Sequence, residues 1–291
     1  MAIAKSTYLS GSYIGFRKNL ILEFSMVFEY DYHTHTKRSY CHEGDLTIDN
    51  LIKIAKVKGI KGFTITDHAH HQYFDGRSAW QYKYILDYSL FLDAMEIGDP
   101  NFENYLEMIE EHREELKKNN DNLKLLVGTE ADVAKNGKLV FNQKYRDRLD
   151  ILIGGIHWLP CVNNGLSPKA MLVEFMDYTM MLLENNLDIL AHPTRMFKAH
   201  KMKVPREVAR PIILKAKDTN TALEINSHNY PDPDIYFIKM CIDEGVKLSL
   251  GTDTHRIVEF GDFSMQKRIL KEAGVSEDKF DEIIFRHEKF S

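Results

Sequence analysis

The sequence predicts an α/β fold, a closed parallel barrel of seven strands with a metal site at their C-terminal ends. Three observations predict it. Seven short runs rich in β-branched and aromatic residues fall at residues 26–32, 60–66, 123–129, 149–156, 187–191, 221–225 and 246–250. They alternate strictly with helical patterns, the signature of consecutive βαβ units and parallel pairing. Six of the seven end, on the carboxyl side, in histidine or an acid: His33 and His35, Asp67 and His68, Glu130, His157, His192, and Asp253 with His255. An open doubly wound sheet shares the alternation, but it would string these residues along an edge. A barrel converges them on one rim.

The elements follow in order. The first run ends in Asp31-Tyr32-His33-Thr34-His35, and alternate residues of a strand point the same way, so two imidazoles stand side by side. A polar loop, residues 36–44, holds Cys41 and His42. Ile48, Leu51, Ile52 and Ala55 then recur at helical spacing, with Thr47 as N-cap and Gly59 just past the end. After the second strand comes an insertion at 69–122, in which Phe102, Tyr105, Leu106, Ile109 and Leu116 mark an amphipathic helix. Its acidic run at 107–115 reads as a solvated face. Ser167 and Pro168 supply an N-cap and a first-turn proline for a helix reaching about residue 184. A helix at 208–218 takes Pro211 in its first turn, another at 235–244 stops at Gly245, and two more close the chain, one ending at Gly274 and one beginning after Ser276. Met176, Met180 and Met181 read as core filling.

Bulk properties bound the answer. The chain has 291 residues, enough for one large barrel, and residues 26–291 read as one such unit behind an extension at 1–25. A net charge of −5 disfavours a general nucleic-acid binder. Three cysteines form no CxxC pair and no disulfide framework, which suits a reducing, cytoplasmic interior. No apolar run is long enough for a membrane span.

The rim collects six histidines, a glutamate and two aspartates, with His42 a further candidate. Imidazole with carboxylate suits zinc, manganese or iron(II). The set exceeds what one tetrahedral ion uses, so two or three divalent ions are expected, with Glu130 as the bridge because a carboxylate has two oxygens. Asp67 reads as a residue that orients a neighbouring ligand, and Cys41 as a small, partly buried residue. His70, His71, His112, His200 and His287 read as surface or loop residues, and His228 as at most a substrate contact.

Laid out this way, the sequence resembles the PHP (polymerase and histidinol phosphatase) family of metal-dependent hydrolases. The resemblance runs over most of residues 27–260 and rests on DYHTHT (31–36), ITDH (65–68), GTEAD (128–132), GGIH (154–157), LAHP (190–193), LEIN (223–226) and LGTDTH (250–255). The family fold is a distorted (β/α)7 barrel, in keeping with the seven strands counted above. The resemblance implies three metals: one held by His33, His35, Glu130 and Asp253, a second by Glu130, His157 and His192, a third by His42, His68 and His255. His42 stands one residue later than the family pattern, with Cys41 in its place.

The expected activity is phosphoester hydrolysis, in which hydroxide bridging the metals attacks phosphorus in line. Asp253 and Arg195 are the candidate catalytic residues, and Arg195 and Arg256 stand where a phosphate would be gripped. A stand-alone chain of this kind looks most like a histidinol-phosphate phosphatase or a related small-molecule phosphoesterase. Aromatic residues of the insertion (Tyr73, Phe74, Trp80, Tyr82, Tyr84, with Arg77) either cover the rim or form a hydrophobic satellite. Alternatives are a nuclease of the same family, an amidohydrolase acting on C–N bonds, and a metal-binding module without turnover.

Overall fold

The computed structural model describes residues 28–228 and 232–290. The expected extension at 1–25 lies outside them, as do the first two residues of the expected first strand. Among the described residues, β1 is Tyr30–Thr34, β2 Gly62–Ile65, β3 Lys124–Ala131, β4 Ile151–Gly154, β5 Ile189–Leu190, β6 Ala222–Asn226 and β7 Leu248–Gly251. They pair in chain order, each parallel to the next, with helices around them. The expected alternation holds.

The ring nearly closes between β7 and β1. At the carboxyl end Thr34 bridges Thr254, and the His35 amide donates to the Thr254 carbonyl at 3.2 Å. The buried Asp31 carboxylate fastens the same seam. It accepts from the Thr252 hydroxyl at 2.6 Å, the Thr252 amide at 3.0 Å and the Gly261 amide at 3.1 Å. At the amino end a later segment fills the gap. Ile284 bridges Leu248, the Phe285 amide donates to the Leu248 carbonyl at 2.8 Å, and the His287 amide donates to the Tyr32 hydroxyl at 2.9 Å. Phe290 then stacks on Tyr30 with 4.5 Å between ring centres. With Tyr32, Leu126, Ile151, Ile153 and Ile189 it makes a small core inside the ring. A larger core, including Phe63, Val127, Leu152 and Phe237, lies between strands and helices.

Local chemistry sets the helix ends. Thr47 accepts from the Asn50 amide at 3.3 Å to start Ile48–Lys58, which Gly59 ends at φ 73°. Ser167 caps Pro168–Leu183 in the same way, accepting from Ala170 at 3.2 Å. Ile235–Glu244 stops at Gly245, again at φ 73°. Met176, Met180 and Met181 pack against the core. No helix among the described residues is long and apolar enough to cross a membrane.

Several boundaries differ from expectation, those of β1 and of the insertion's helix among them. Residues 28 and 29 are not in β1, because its pairing starts only where Tyr30 meets Gly62, so His33 falls within the strand. The amphipathic helix of the insertion starts at Ser89 and runs through Gly98 and Pro100 to Lys118. Gly98 has to lack a side chain there, since a Cβ would sit 2.3 Å from the Tyr73 ring. Farther along, Tyr105 donates to the Gly128 carbonyl at 2.7 Å and accepts from the Asp67 amide at 3.2 Å. The insertion is thereby tied to β3 and to the end of β2.

Candidate metal centre

Glu130 is the hub. It lies inside β3, fully buried, because the strand runs past the expected end at 129 and carries the carboxylate into the ring. Its Oε2 stands 2.9 Å from His68 Nδ1, 3.4 Å from His33 Nε2 and 3.7 Å from His35 Nε2. Its Oε1 stands 3.0 Å from His192 Nε2 and 3.3 Å from His157 Nε2. Strands β1, β2, β4 and β5 all deliver an imidazole to this one carboxylate. Asp253, past the end of β7, faces it across the seam, with Oδ1 3.0 Å from His35 Nε2, 3.4 Å from His255 Nδ1 and 3.5 Å from His33 Nε2. Its backbone takes φ 50°, unusual for a residue with a side chain.

The arrangement fits divalent cations. His33 Nε2, His68 Nδ1, His157 Nε2 and Glu130 Oε2 are buried and have no hydrogen-bond partner among the described residues. Buried polar atoms left so are rare and call for an explanation such as an ion. Among the described residues, five sets of donors each lie within 4.8 Å of one another: His33, His35 and Asp253; His68, Glu130 and His157; His35, His68 and His255; Cys41, His68 and His71; and His228, His255 and Glu259. Nitrogen and carboxylate oxygen are the ligands zinc, manganese and iron(II) take.

Electrostatics follow from the same crowding. Burial opposes charge on Glu130, but His157, His33 and His68 outweigh it and hold the carboxyl well below its usual range. Burial likewise opposes the charge of Asp253, which His33 and His255 keep ionised. His157 is pushed up to about 10 by Asp132 and Glu130 against the effect of burial, and His33 is raised by Glu224, Asp253 and Glu130. His35 goes the other way, to about 3, because burial dominates there. His68 and His255 are also lowered, chiefly by burial.

Residues 31–228 match the PHP domain. The chain belongs to the PHP family. A probable phosphatase of Aeromonas hydrophila is 26% identical over 260 residues, 86% of this chain and 87% of the relative. A probable histidinol-phosphatase of Thermotoga maritima is 27% identical over 241 residues, 79% of this chain and 86% of the relative. Among solved structures, histidinol phosphate phosphatase from Lactococcus lactis, complexed with zinc, L-histidinol and phosphate, superposes with a TM-score of 0.59. It shares 19% identity, with 85% of this chain and 94% of that one covered, a likeness of fold.

The PHP motifs bring most of the expected residues together. Glu130, His33, His35, His68, His157, His192, Asp253 and His255 meet around one point. Arg195 opens the short helix Arg195–Ala199, and its guanidinium stands 3.3 Å from Asp253 Oδ2. His228 stacks on His255 at 4.1 Å, so it does reach the rim. Asp67 accepts from the hydroxyls of Ser39 at 2.6 Å and Thr36 at 2.7 Å, and Ser39 also contacts His35 Nδ1 at 3.1 Å.

Other residues depart from expectation. His42 turns Nδ1 to the Ser39 carbonyl at 2.8 Å and joins none of the donor sets, where His35 accompanies His68 and His255 instead. Arg256 is committed to Glu259, 2.8 Å from Nε, and its side chain is largely exposed. His70 and His71 are buried rather than superficial: the turn His70–Tyr73 tucks them under the insertion, with His70 3.1 Å from Asp132 and His71 beside Cys41 and His68.

Two supporting acids went unassigned in the sequence. Glu224, buried in β6, accepts from His33 Nδ1 and from the His192 amide, each at 2.8 Å. Asp132 accepts from His157 Nδ1 at 2.9 Å. Such contacts fix which imidazole nitrogen is free to bind a metal. Their signal is an acid within or just past an otherwise apolar strand, in LEIN and GTEAD.

Proposed function

We propose that this chain hydrolyses a small phosphomonoester of the histidinol phosphate kind, using divalent cations caged at the carboxyl rim of the barrel. It is a metal-dependent phosphatase. The observation that carries the reading is the single buried carboxylate of Glu130, reached by five imidazoles, with the Arg195 guanidinium at its mouth. The relatives named probable phosphatase and probable histidinol-phosphatase support the same chemistry.

His33, His35, Glu130 and Asp253 would hold one zinc, manganese or iron ion, and Glu130, His157 and His192 a second. His68 and His255 would hold a third with His35 or, after a turn of its ring, His42. Bound cations would supply an activated water and neutralise charge on the phosphate. The chain's own residues do the rest. Arg195 grips a non-bridging phosphate oxygen through two N–H groups, which fixes the ester in line with the cage. Asp253 turns Oδ1 to His35, while Oδ2 is held by Arg195 and by Asn226 at 3.1 Å. Once Arg195 turns from Oδ2 to the phosphate, that oxygen has an acceptor position free to take a proton from water and pass it to the departing alcohol oxygen. Glu224 and Asp132 keep His33 and His157 in the tautomer that presents Nε2 to the cage.

The test is metal analysis followed by turnover of p-nitrophenyl phosphate, histidinol phosphate, other phosphomonoesters and short oligonucleotides, with zinc or manganese added. The reading expects bound metal, monoester hydrolysis, and loss of both in His33→Ala. A protein that binds no transition metal, or cleaves only oligonucleotides, sinks it.

A further inference from the structure

Asp132 orients His157 with only one of its two oxygens. Oδ1 accepts from the His157 amide at 3.2 Å and from His157 Nδ1 at 2.9 Å. Oδ2 is buried and has no hydrogen-bond partner among the described residues. Beside it, 3.1 Å away, stands His70 Nδ1. That nitrogen is also buried without a partner among the described residues, as is Nε2 of the same ring. Buried polar atoms left so are rare, and here a spare donor and a spare acceptor lie within reach of each other. The pair is close but out of line, and a small rotation of either side chain aligns it.

His70 belongs to the insertion, not to the barrel. It opens the turn His70–Tyr73 just past His68 and is 1% exposed. Its ring lies against those of Tyr84 at 5.5 Å and Tyr82 at 5.9 Å, with the His157 ring at 6.3 Å. Packing alone does not ask for an imidazole there. An apolar side chain would fill the place beside the tyrosines without burying nitrogens that have no partner. What an imidazole adds is a donor for the free oxygen of Asp132. A carboxylate gripped at one oxygen can still swing about its Cβ–Cγ bond, and the His157 ring would follow it; gripped at both, it cannot.

We infer that His70 donates from Nδ1 to Asp132 Oδ2, completing a chain His70–Asp132–His157 through which the insertion fixes the imidazole offered to the second ion. The inference rests on the metal-binding part of the reading above. His70 touches neither ion nor ester in it; it is a positioning residue that acts through Asp132. The insertion thereby braces the cage from behind.

Leucine and asparagine have nearly the same shape, and only asparagine carries an N–H group where Nδ1 stands. His70→Leu and His70→Asn in the full-length protein therefore separate the hydrogen bond from the void that both leave. Zinc affinity is read by competition with a chelator, one equivalent at a time. Disturbing the support of a ligand costs roughly 10–100-fold in metal affinity. His70→Leu should weaken one zinc equivalent by about that factor, and His70→Asn should recover most of the loss. Wild-type affinity in His70→Leu overturns the inference, and so does equal weakening in the two variants. Where a variant does not fold, nitrogen NMR of the zinc-loaded wild type decides: the His70 ring should carry its proton on Nδ1, and a bare Nδ1 overturns the assignment. A wild type that binds no zinc sinks the metal reading and this inference with it. One that binds zinc but turns over no ester sinks the phosphatase reading alone.

Discussion

Gly155 belongs to the metal centre as much as any ligand. A Cβ on it would lie 2.4 Å from Glu130 Oε1 and 2.8 Å from His157 Cε1, so even alanine would push the hub carboxylate aside. Gly155→Ala should cut metal affinity at least 10–100-fold, the usual cost of disturbing the support of a ligand. Competition with a chelator measures it, and circular dichroism should show the fold intact. Protons report on the same residues. In the metal-free protein, His33 and His157 are both raised by the carboxylates around them and hold protons at neutral pH. Loading zinc at pH 7.5 should therefore release about one to two protons per chain, read from the dependence of the calorimetric heat on buffer ionisation. The sign for stability follows from the raised value. The His157 pairing contributes fully to the metal-free fold below 6.5 and is lost as pH rises through about 10.

At the scale of elements, the insertion has two parts. Its aromatics divide: Phe74 stacks on Tyr84 at 4.5 Å and Tyr73 packs on Phe91 and Phe102, an inner satellite, while Trp80 and Tyr82 reach the rim. The crossing of Tyr73 over Gly98 holds the satellite to the long helix. Gly98→Ala should destabilise by about 1–3 kcal/mol, because the contact includes Tyr73 backbone and has no soft neighbour to yield; the midpoint of urea unfolding checks it. Elements governed by local rules were legible in the sequence: Thr47, Gly59, Ser167 and Gly245 mark their helix ends without help from the fold. Elements governed by partners were not. Nothing near Tyr30 shows that pairing must wait for Gly62, and Pro100 hid the first turns of a helix that tertiary packing sustains. His70 and His71 were misjudged for the same reason, since their burial comes from the insertion folding over them. The ligands were legible because strand periodicity and barrel convergence suffice to place them. Glu224 and Asp132 were not, because an orienting acid is recognised only by what it touches.

Across the whole molecule, the ring is held differently at its two ends. Thr34, Thr254 and Asp31 fasten the carboxyl end, and residues 284–290 fill the other. Phe290, 3% exposed, is the more deeply buried of the two phenylalanines in that filling. Phe290→Ala should cost about 3–5 kcal/mol, as for other buried phenylalanines, and leave metal stoichiometry unchanged; denaturant melts and elemental analysis separate the two. Loss of metal would mean that the floor of the barrel and its mouth are mechanically coupled.

The seam has one more consequence. His33 lies in the first strand with His35 just past it, and Asp253 and His255 lie just past the last, so any cation they share acts as a clasp between segments more than two hundred residues apart. Occupancy would then govern fastening as well as chemistry: chelation should unbutton the barrel along this line first, with amides near Thr34 and Thr254 exchanging with deuterium before those of β3 and β4.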